Sequence, residues 1–269
     1  MWGVTVDDPW NTAPTVQALA RLPRRPTARI VFDLRPRATD YAAPVAAIRR
    51  AADVMGLLVD SSDLASLPPD AYAARLHEYL DALWPLVDVW EVGNEVNGQW
   101  TGDSRTVAAK VALAHAAVKA RGGRTAITLH YDGGCSATPP DRGAFRWAAR
   151  HLSPGLRREV DYVWLSYYED ECPGTRPDWR AVFGRLGTLF PRAALGIGEC
   201  GAEDARRRPG ALARCYRIRA PHPRFVGGYF WWHFSEDMVP ASRPLWRSLA
   251  SLVPGDAEAR ALPGARRAR

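Results

Sequence analysis

The sequence nearly lacks lysine. Its 36 basic residues are all arginine apart from Lys110 and Lys119, and with 29 acidic residues they leave a net charge of +7. A nucleic-acid binder concentrates such charge on one element. Here the arginines are scattered through the predicted helices, apart from Arg206-Arg207-Arg208 and the terminal Arg266-Arg267-Ala268-Arg269. That spread reads as the solvated faces of an Arg- and Ala-biased chain, so no nucleic-acid partner is expected. No apolar run is long enough to span a membrane. The 4 cysteines are not spaced as in a zinc site. No His, Asp and Glu cluster has metal-ligand spacing either, so neither metal nor cofactor is expected. The first strand-like run is followed by Asp7-Asp8-Pro9-Trp10 instead of a Gly-rich turn, which excludes a dinucleotide-binding sheet.

Strand-like and helix-like runs alternate from end to end. The strands are predicted at 2–6, 29–34, 54–59, 87–94, 125–130, 162–167, 194–199 and 228–233. They are short and rich in Val, Ile, Leu and aromatics, as strands buried on both faces should be. Between them lie amphipathic segments with Asp40 and Asp103 as N-cap candidates, and Gly122-Gly123 closes the segment after Asp103. Eight βα repeats in 269 residues predict a single (β/α)8 TIM barrel, for which about 250 residues is typical. The barrel is assigned to 1–253, and 254–269 to an Arg- and Ala-rich tail.

In such a barrel, function collects at the C-terminal ends of the strands. Those ends carry Asp7, Asp8 and Trp10; Asp33 and Arg35; Asp60 and Asp63; Asn94, Glu95, Asn97 and Trp100; His130 and Asp132; Ser166 to Asp170; Glu199; and Trp231, Trp232 and His233. Carboxylates, amides and aromatic faces in one mouth suit a sugar: rings stack on its C–H surfaces and polar groups bind its hydroxyls. Two apolar strands end in glutamate, at Trp90-Glu91-Val92-Gly93-Asn94-Glu95 and Gly196-Ile197-Gly198-Glu199. A buried carboxylate is costly unless it is paired or used. Strands four and seven face each other across a barrel mouth. Glu95 and Glu199 can therefore flank one glycosidic bond, as glycoside hydrolysis requires. Glu91 shares strand parity with Glu95 and reads as a structural polar residue below the site.

Asn94-Glu95 on strand four and Glu199 on strand seven resemble clan A glycoside hydrolases, the retaining (β/α)8 enzymes. The string from Trp90 to Glu95 resembles the β-xylosidase and arabinofuranosidase branches. The segment Gly93-Asn94-Glu95…Trp100, with Ser166-Tyr167-Tyr168, resembles the endo-β-1,4-galactanases. The resemblance implies that Glu95 is the general acid and then base, with a raised pKa, and that Glu199 is the nucleophile. It implies that Asn94 binds the sugar 2-hydroxyl, that Tyr167 holds the nucleophile, and that Arg35 lies close to it. Trp231 or Trp232 floors the reacting-sugar subsite, and Trp10 and Trp100 line the rim. Many clan members have histidine where this chain has Ser166; His130 on strand five is the candidate to fill that space.

The expected activity is retaining hydrolysis of an oligosaccharide or polysaccharide, endo-acting and by a monomer. An anionic substrate is compatible with the net charge. The alternative is an inactive carbohydrate-binding barrel serving polysaccharide export or sensing. Cys135 and Cys172 follow consecutive strands, so a disulfide can join those loops; four free thiols are the other reading. Trp2 already belongs to the first strand, so no leader is read. The location is then cytoplasmic, or periplasmic or secreted if a leader has been removed.

Overall fold

The computed structural model describes residues 1–253 except Gly134, Ser136, Ala137 and Pro173, so the tail assigned to 254–269 lies outside the described residues. The eight strands are β1 (Trp2–Val6), β2 (Thr27–Val31), β3 (Asp53–Leu57), β4 (Val89–Gly93), β5 (Thr125–His130), β6 (Tyr162–Ser166), β7 (Ala194–Glu199) and β8 (Phe225–Trp231). They are parallel and close in sequential order, with β1 pairing β8. This is the (β/α)8 barrel that the alternation predicts.

The helices that bear on the site are α1 (Thr12–Ala20), α2 (Ala38–Arg49), α3 (Pro69–Leu83) and α4 (Ser104–Ala120). Next come α5 (Ala144–His151), α6 (Pro154–Glu159), α7 (Trp179–Leu189) and α8 (Arg208–Cys215), then α9 (Phe234–Met238) and α10 (Pro244–Leu252). Asp103 caps α4 by accepting the Thr106 N–H at 2.8 Å. Asp40 is not an N-cap: α2 begins at Ala38, and Asp40 lies in its first turn, accepting from the Arg37 N–H at 2.9 Å. There its charge still favours the positive end of the helix dipole.

Strand alternation divides the core in two. Outward residues pack under the helices. Inward Met55, Val89, Ala126, Trp164 and Phe230 form a separate apolar plug inside the barrel. Glycine makes room for that plug. A Cβ on Gly3 would lie 2.4 Å from the Phe230 ring, and one on Gly198 would lie 2.3 Å from the Trp164 Cβ. The plug gives the site above it a fixed floor.

Closure is set at β8. Gly227 and Gly228 have φ of +96° and +88°, followed by Tyr229 at +77°. The pairing with β1 shifts register across this bulge, which returns Phe230 and Trp232 to the barrel interior and sends Trp231 outward. A Cβ on Gly228 would lie 2.2 Å from the Ile197 carbonyl oxygen. Gly228→Ala is therefore expected to destabilise the fold by about 2–4 kcal/mol, measured by denaturant unfolding. Wild-type stability would contradict this account of closure.

Candidate active site

A buried ionic layer rests on the apolar plug. Arg29 points inward from the middle of β2 and is fully buried. Its Nε and Nη2 donate to Glu91 Oε2 and Oε1 at 2.6 and 3.1 Å, and its Nη1 donates to Glu199 Oε2 at 2.8 Å. Burial alone would lower the Arg29 pKa, but Glu91 and Glu199 outweigh it, so the guanidinium stays charged. Thr128 donates its hydroxyl to Glu91. Glu91 thus occupies the structural position expected of it below the site.

Glu199 ends β7 and is 4% exposed. Besides Arg29 it accepts the Tyr168 hydroxyl at 2.8 Å. The expected donor was Tyr167. Alternation along β6 explains the difference: Trp164, Ser166 and Tyr168 face inward. Tyr167 faces out, 5.1 Å from the Trp179 ring of α7. The arginine beside Glu199 is likewise Arg29 and not Arg35. Because β2 runs over Thr27–Val31, Arg35 lies beyond its end on an exposed loop.

Glu95 follows β4 with φ of +44°, a strained geometry for a non-glycine residue. It accepts Ser166 Oγ at 2.6 Å on Oε1 and Ser61 Oγ at 2.8 Å on Oε2. Ser166 pairs in register with Glu199 on the neighbouring strand, so the Ser166 hydroxyl spans from the β7 side of the mouth to the β4 carboxylate. His130 Nδ1 lies 3.5 Å from Glu95 Oε1, and its Nε2 lies 3.4 Å from Glu171 Oε2. His130 therefore stands beside Glu95. Asn94 is 1% exposed, and neither atom of its amide has a hydrogen-bond partner in the structure. A buried amide left so is costly and fits a group that binds a polar ligand.

The aromatics divide. Trp231 is fully buried, its indole N–H donating to Asp237 at 2.8 Å; it packs outside the barrel and floors no subsite. Trp232 lies over Arg29 with 5.4 Å between guanidinium and ring, and remains half-buried at the mouth. Trp10 and Trp100 are 45% and 40% exposed. Trp100 donates its indole N–H to Ser61 Oγ at 3.0 Å and sets its edge against His130. Trp10 packs on Tyr41 at 4.8 Å. A cavity of about 300 Å³ opens beside His130, lined by Trp100, Asp132 and Glu171 among others.

The carboxyl pair titrates in the order opposite to the one expected. Burial and the Glu95 charge push Glu199 up to about 8, against the opposing pull of Arg29. Arg29 cannot reverse this because Glu91 holds two of its N–H groups. Burial would also raise Glu95, but contacts from His130, Ser166 and Ser61 outweigh it and hold Glu95 below the ordinary carboxylate value. Below about pH 8 the shifts favour a proton on Glu199 over one on Glu95.

Among the described residues no cluster of His, Cys, Asp or Glu could hold a metal ion. Both cysteine pairs are bridged: Cys135–Cys172 joins the loops after β5 and β6, and Cys200–Cys215 ties the end of β7 to α8. The second bridge, the Arg29–Glu91 pair and the Glu171 contact were not foreseen. Inward parity on β2 and β4 was the available signal for the ion pair. Nothing local in the sequence marks the other two.

No family model matches the chain. A curated tRNA (guanine-N(7)-)-methyltransferase of Burkholderia vietnamiensis is 37% identical over 67 residues, covering 25% of this chain and 26% of that protein. So short a stretch shows no family. Solved structures align over nearly the whole chain. Saccharomyces cerevisiae Gas2 in complex with a compound is 15% identical over 99% of this chain and 68% of that chain, with a TM-score of 0.54. Gas2p with laminaritriose and laminaritetraose is 14% identical over 97% and 67%, with a TM-score of 0.56. A glutamate-to-glutamine mutant of Gas2p with laminaritetraose and laminaripentaose gives 14% over 93% and 62%, at 0.57. The likeness shows the fold, a (β/α)8 barrel, and assigns no family.

The Glu199 shift has a consequence for stability. A carboxyl raised from 4.5 to about 8 in the fold costs the folded state progressively more as pH rises from 4.5 to about 8. Glu199→Gln is therefore expected to stabilise the protein by about 1–3 kcal/mol at pH 8 and by little at pH 5. Thermal unfolding at both pH values checks this; a variant destabilised at pH 8 would contradict it.

Proposed function

We propose that this protein is a retaining β-glycoside hydrolase that cleaves an oligosaccharide or polysaccharide within its chain. The observation that carries the reading is the buried pair Glu95 and Glu199. Each arrives from an opposite arc of one barrel mouth, the Glu95 charge acts on Glu199, and an unsatisfied Asn94 directly precedes Glu95. Gas2p, which shares the fold, binds laminari-oligosaccharides. This makes β-linked glucose oligomers the first substrates to try.

The proposed chemistry is a double displacement. Glu199, fixed by Arg29 and Tyr168, attacks the anomeric carbon as the carboxylate. Glu95 protonates the departing oxygen. The proton therefore has to pass from the Glu199 side to Glu95 as substrate enters. Two features of the bound sugar favour that transfer: a basic leaving oxygen at Glu95, and growing positive charge on the ring facing Glu199. In the second step Glu95, again ionised, takes a proton from water, and the water breaks the glycosyl–enzyme bond. Asn94 binds the 2-hydroxyl, a contact that tightens in the transition state. Exposed Trp10 and Trp100 stand after β1 and β4 and suit a sugar chain running through the mouth. No metal takes part in this mechanism, and the protein acts as a monomer outside the cytoplasm, in keeping with its two disulfides.

Glu95→Gln and Glu199→Gln are each expected to lower kcat by about 10³-fold or more, read as new reducing ends from a panel of β-glucans. Wild-type-like turnover by either would contradict the assignment. Above pH 8 both carboxyls are ionised and no proton remains for the leaving group, so kcat/KM is expected to fall as pH rises through about 8. Proton NMR of the first product is expected to show the β-anomer, and an α-anomer would refute retention.

A further inference from the structure

We propose that His130 and Glu171 form a positioning couple that decides which of the two carboxyls holds the shared proton, and that the Cys135–Cys172 bridge holds this couple together. The proposal rests on the glycosidase reading and extends it to a device that the two-carboxylate mechanism does not require.

The geometry is explicit. His130 is the last residue of β5 and is 6% exposed. One ring nitrogen faces Glu95 and the other faces Glu171, at 3.5 and 3.4 Å. The imidazole has no other carboxylate contact of that length among the described residues. The groups around it are mostly acidic. Glu95 faces it from β4, Glu171 from the loop after β6, and Asp132 from its own loop. Glu203, after β7, adds its charge at Glu171. Trp100 closes the remaining side with its ring edge 5.1 Å between centroids. Burial would lower the His130 pKa, but the Glu95 contact and the Glu171 and Asp132 charges outweigh it, so it stands above its ordinary value.

A charged His130 stabilises Glu95 as the anion. The shared proton then stays with Glu199, which suits neither attack nor departure. When His130 is neutral that pull is gone, and the proton can pass to Glu95 while Glu199 ionises against Arg29. His130 therefore acts through Glu95 and need not touch the sugar. Glu171 sets the pH at which this happens, because its negative charge keeps the imidazole protonated. Its placement depends on the disulfide. Glu171 immediately precedes Cys172, whose partner Cys135 lies on the loop that leaves β5 directly after His130. Cys135 Sγ also lies 3.6 Å from the Glu171 carbonyl oxygen. The bridge thus joins the two segments that carry the couple.

The test reads the couple with and without turnover. Histidine labelled with nitrogen-15 and glutamate labelled with carbon-13 at the carboxyl report His130 and Glu95 in the free protein. In His130→Asn, Glu95 is expected to titrate about one pH unit or more higher than in wild type. In Glu171→Gln, a half-exposed and structurally mild change, His130 is expected to titrate about half to one unit lower. The double variant Cys135→Ser/Cys172→Ser is expected to move His130 in the same direction. With laminaritetraose, the acid limb of kcat/KM is expected to move to lower pH by the same amount as His130 in Glu171→Gln and in the cysteine double variant. An unchanged Glu95 titration in His130→Asn, or an acid limb that stays put while His130 moves, would overturn the proposal. Failure of the glycosidase reading looks different: no glycan in the panel is cleaved, yet the carbon-13 and nitrogen-15 shifts follow the pattern above.

Discussion

The Arg29 guanidinium holds the site together. One side chain, buried inside the barrel, bonds Glu91 through two N–H groups and Glu199 through a third. Taking such ions out of water is expensive and is repaid only by near-complete hydrogen bonding. Here Thr128 on Glu91 and Tyr168 on Glu199 supply the remaining bonds. The arrangement fixes three strands, β2, β4 and β7, to one point above the apolar plug. It also explains why Glu199 is not simply an anion beside an arginine. The arginine is shared, so burial and the Glu95 charge decide where the proton of the free pair rests.

The site consequently reads as three stacked layers. Trp164 and Phe230 fill the bottom, with glycines on β1 and β7 cut away to admit them. Arg29, Glu91 and Thr128 form the ionic middle. Glu95, Glu199, Ser166 and Tyr168 form the top, rimmed by Trp10, Trp100 and Trp232. Each layer restrains the next, and the Glu95 side chain, on a strained backbone, is held by groups from the loop after β3, from β5 and from β6 at once. Strain of this kind persists only where the surroundings over-determine it, and it concentrates at functional sites. Ser166 illustrates the same economy of placement: its hydroxyl bonds Glu95, and an imidazole, His130, approaches the same carboxylate from the adjacent strand.

Much of this was legible in the sequence because the signals are local or periodic. Apolar runs at regular spacing gave all eight strands, and the glutamates at the ends of strands four and seven marked the carboxyl pair. With strand two placed at 29–34 instead of Thr27–Val31, Arg29 sits at a strand start, and the arginine that the resemblance implies at the strand end becomes Arg35. Naming Tyr167 and Trp231 ignored the period of two that turns Ser166 and Tyr168, and Phe230 and Trp232, into the barrel. The proton order in the carboxyl pair was not readable, because it depends on how one arginine is divided between two glutamates. Nor was the Cys200–Cys215 bridge or the reach of Glu171 to His130, since both are set by loop paths that no short-range pattern encodes.

The central claim is that Glu199 attacks a sugar carbon while Glu95 serves the leaving oxygen. The most direct measurement is peptide mass spectrometry after exposure to a panel of activated 2-deoxy-2-fluoro β-glycosides, which slow the second step and leave the first product on the protein. The account expects a single added sugar on the peptide that contains Glu199, absent in Glu199→Gln. A sugar carried elsewhere, or labelling that persists in that variant, would contradict it.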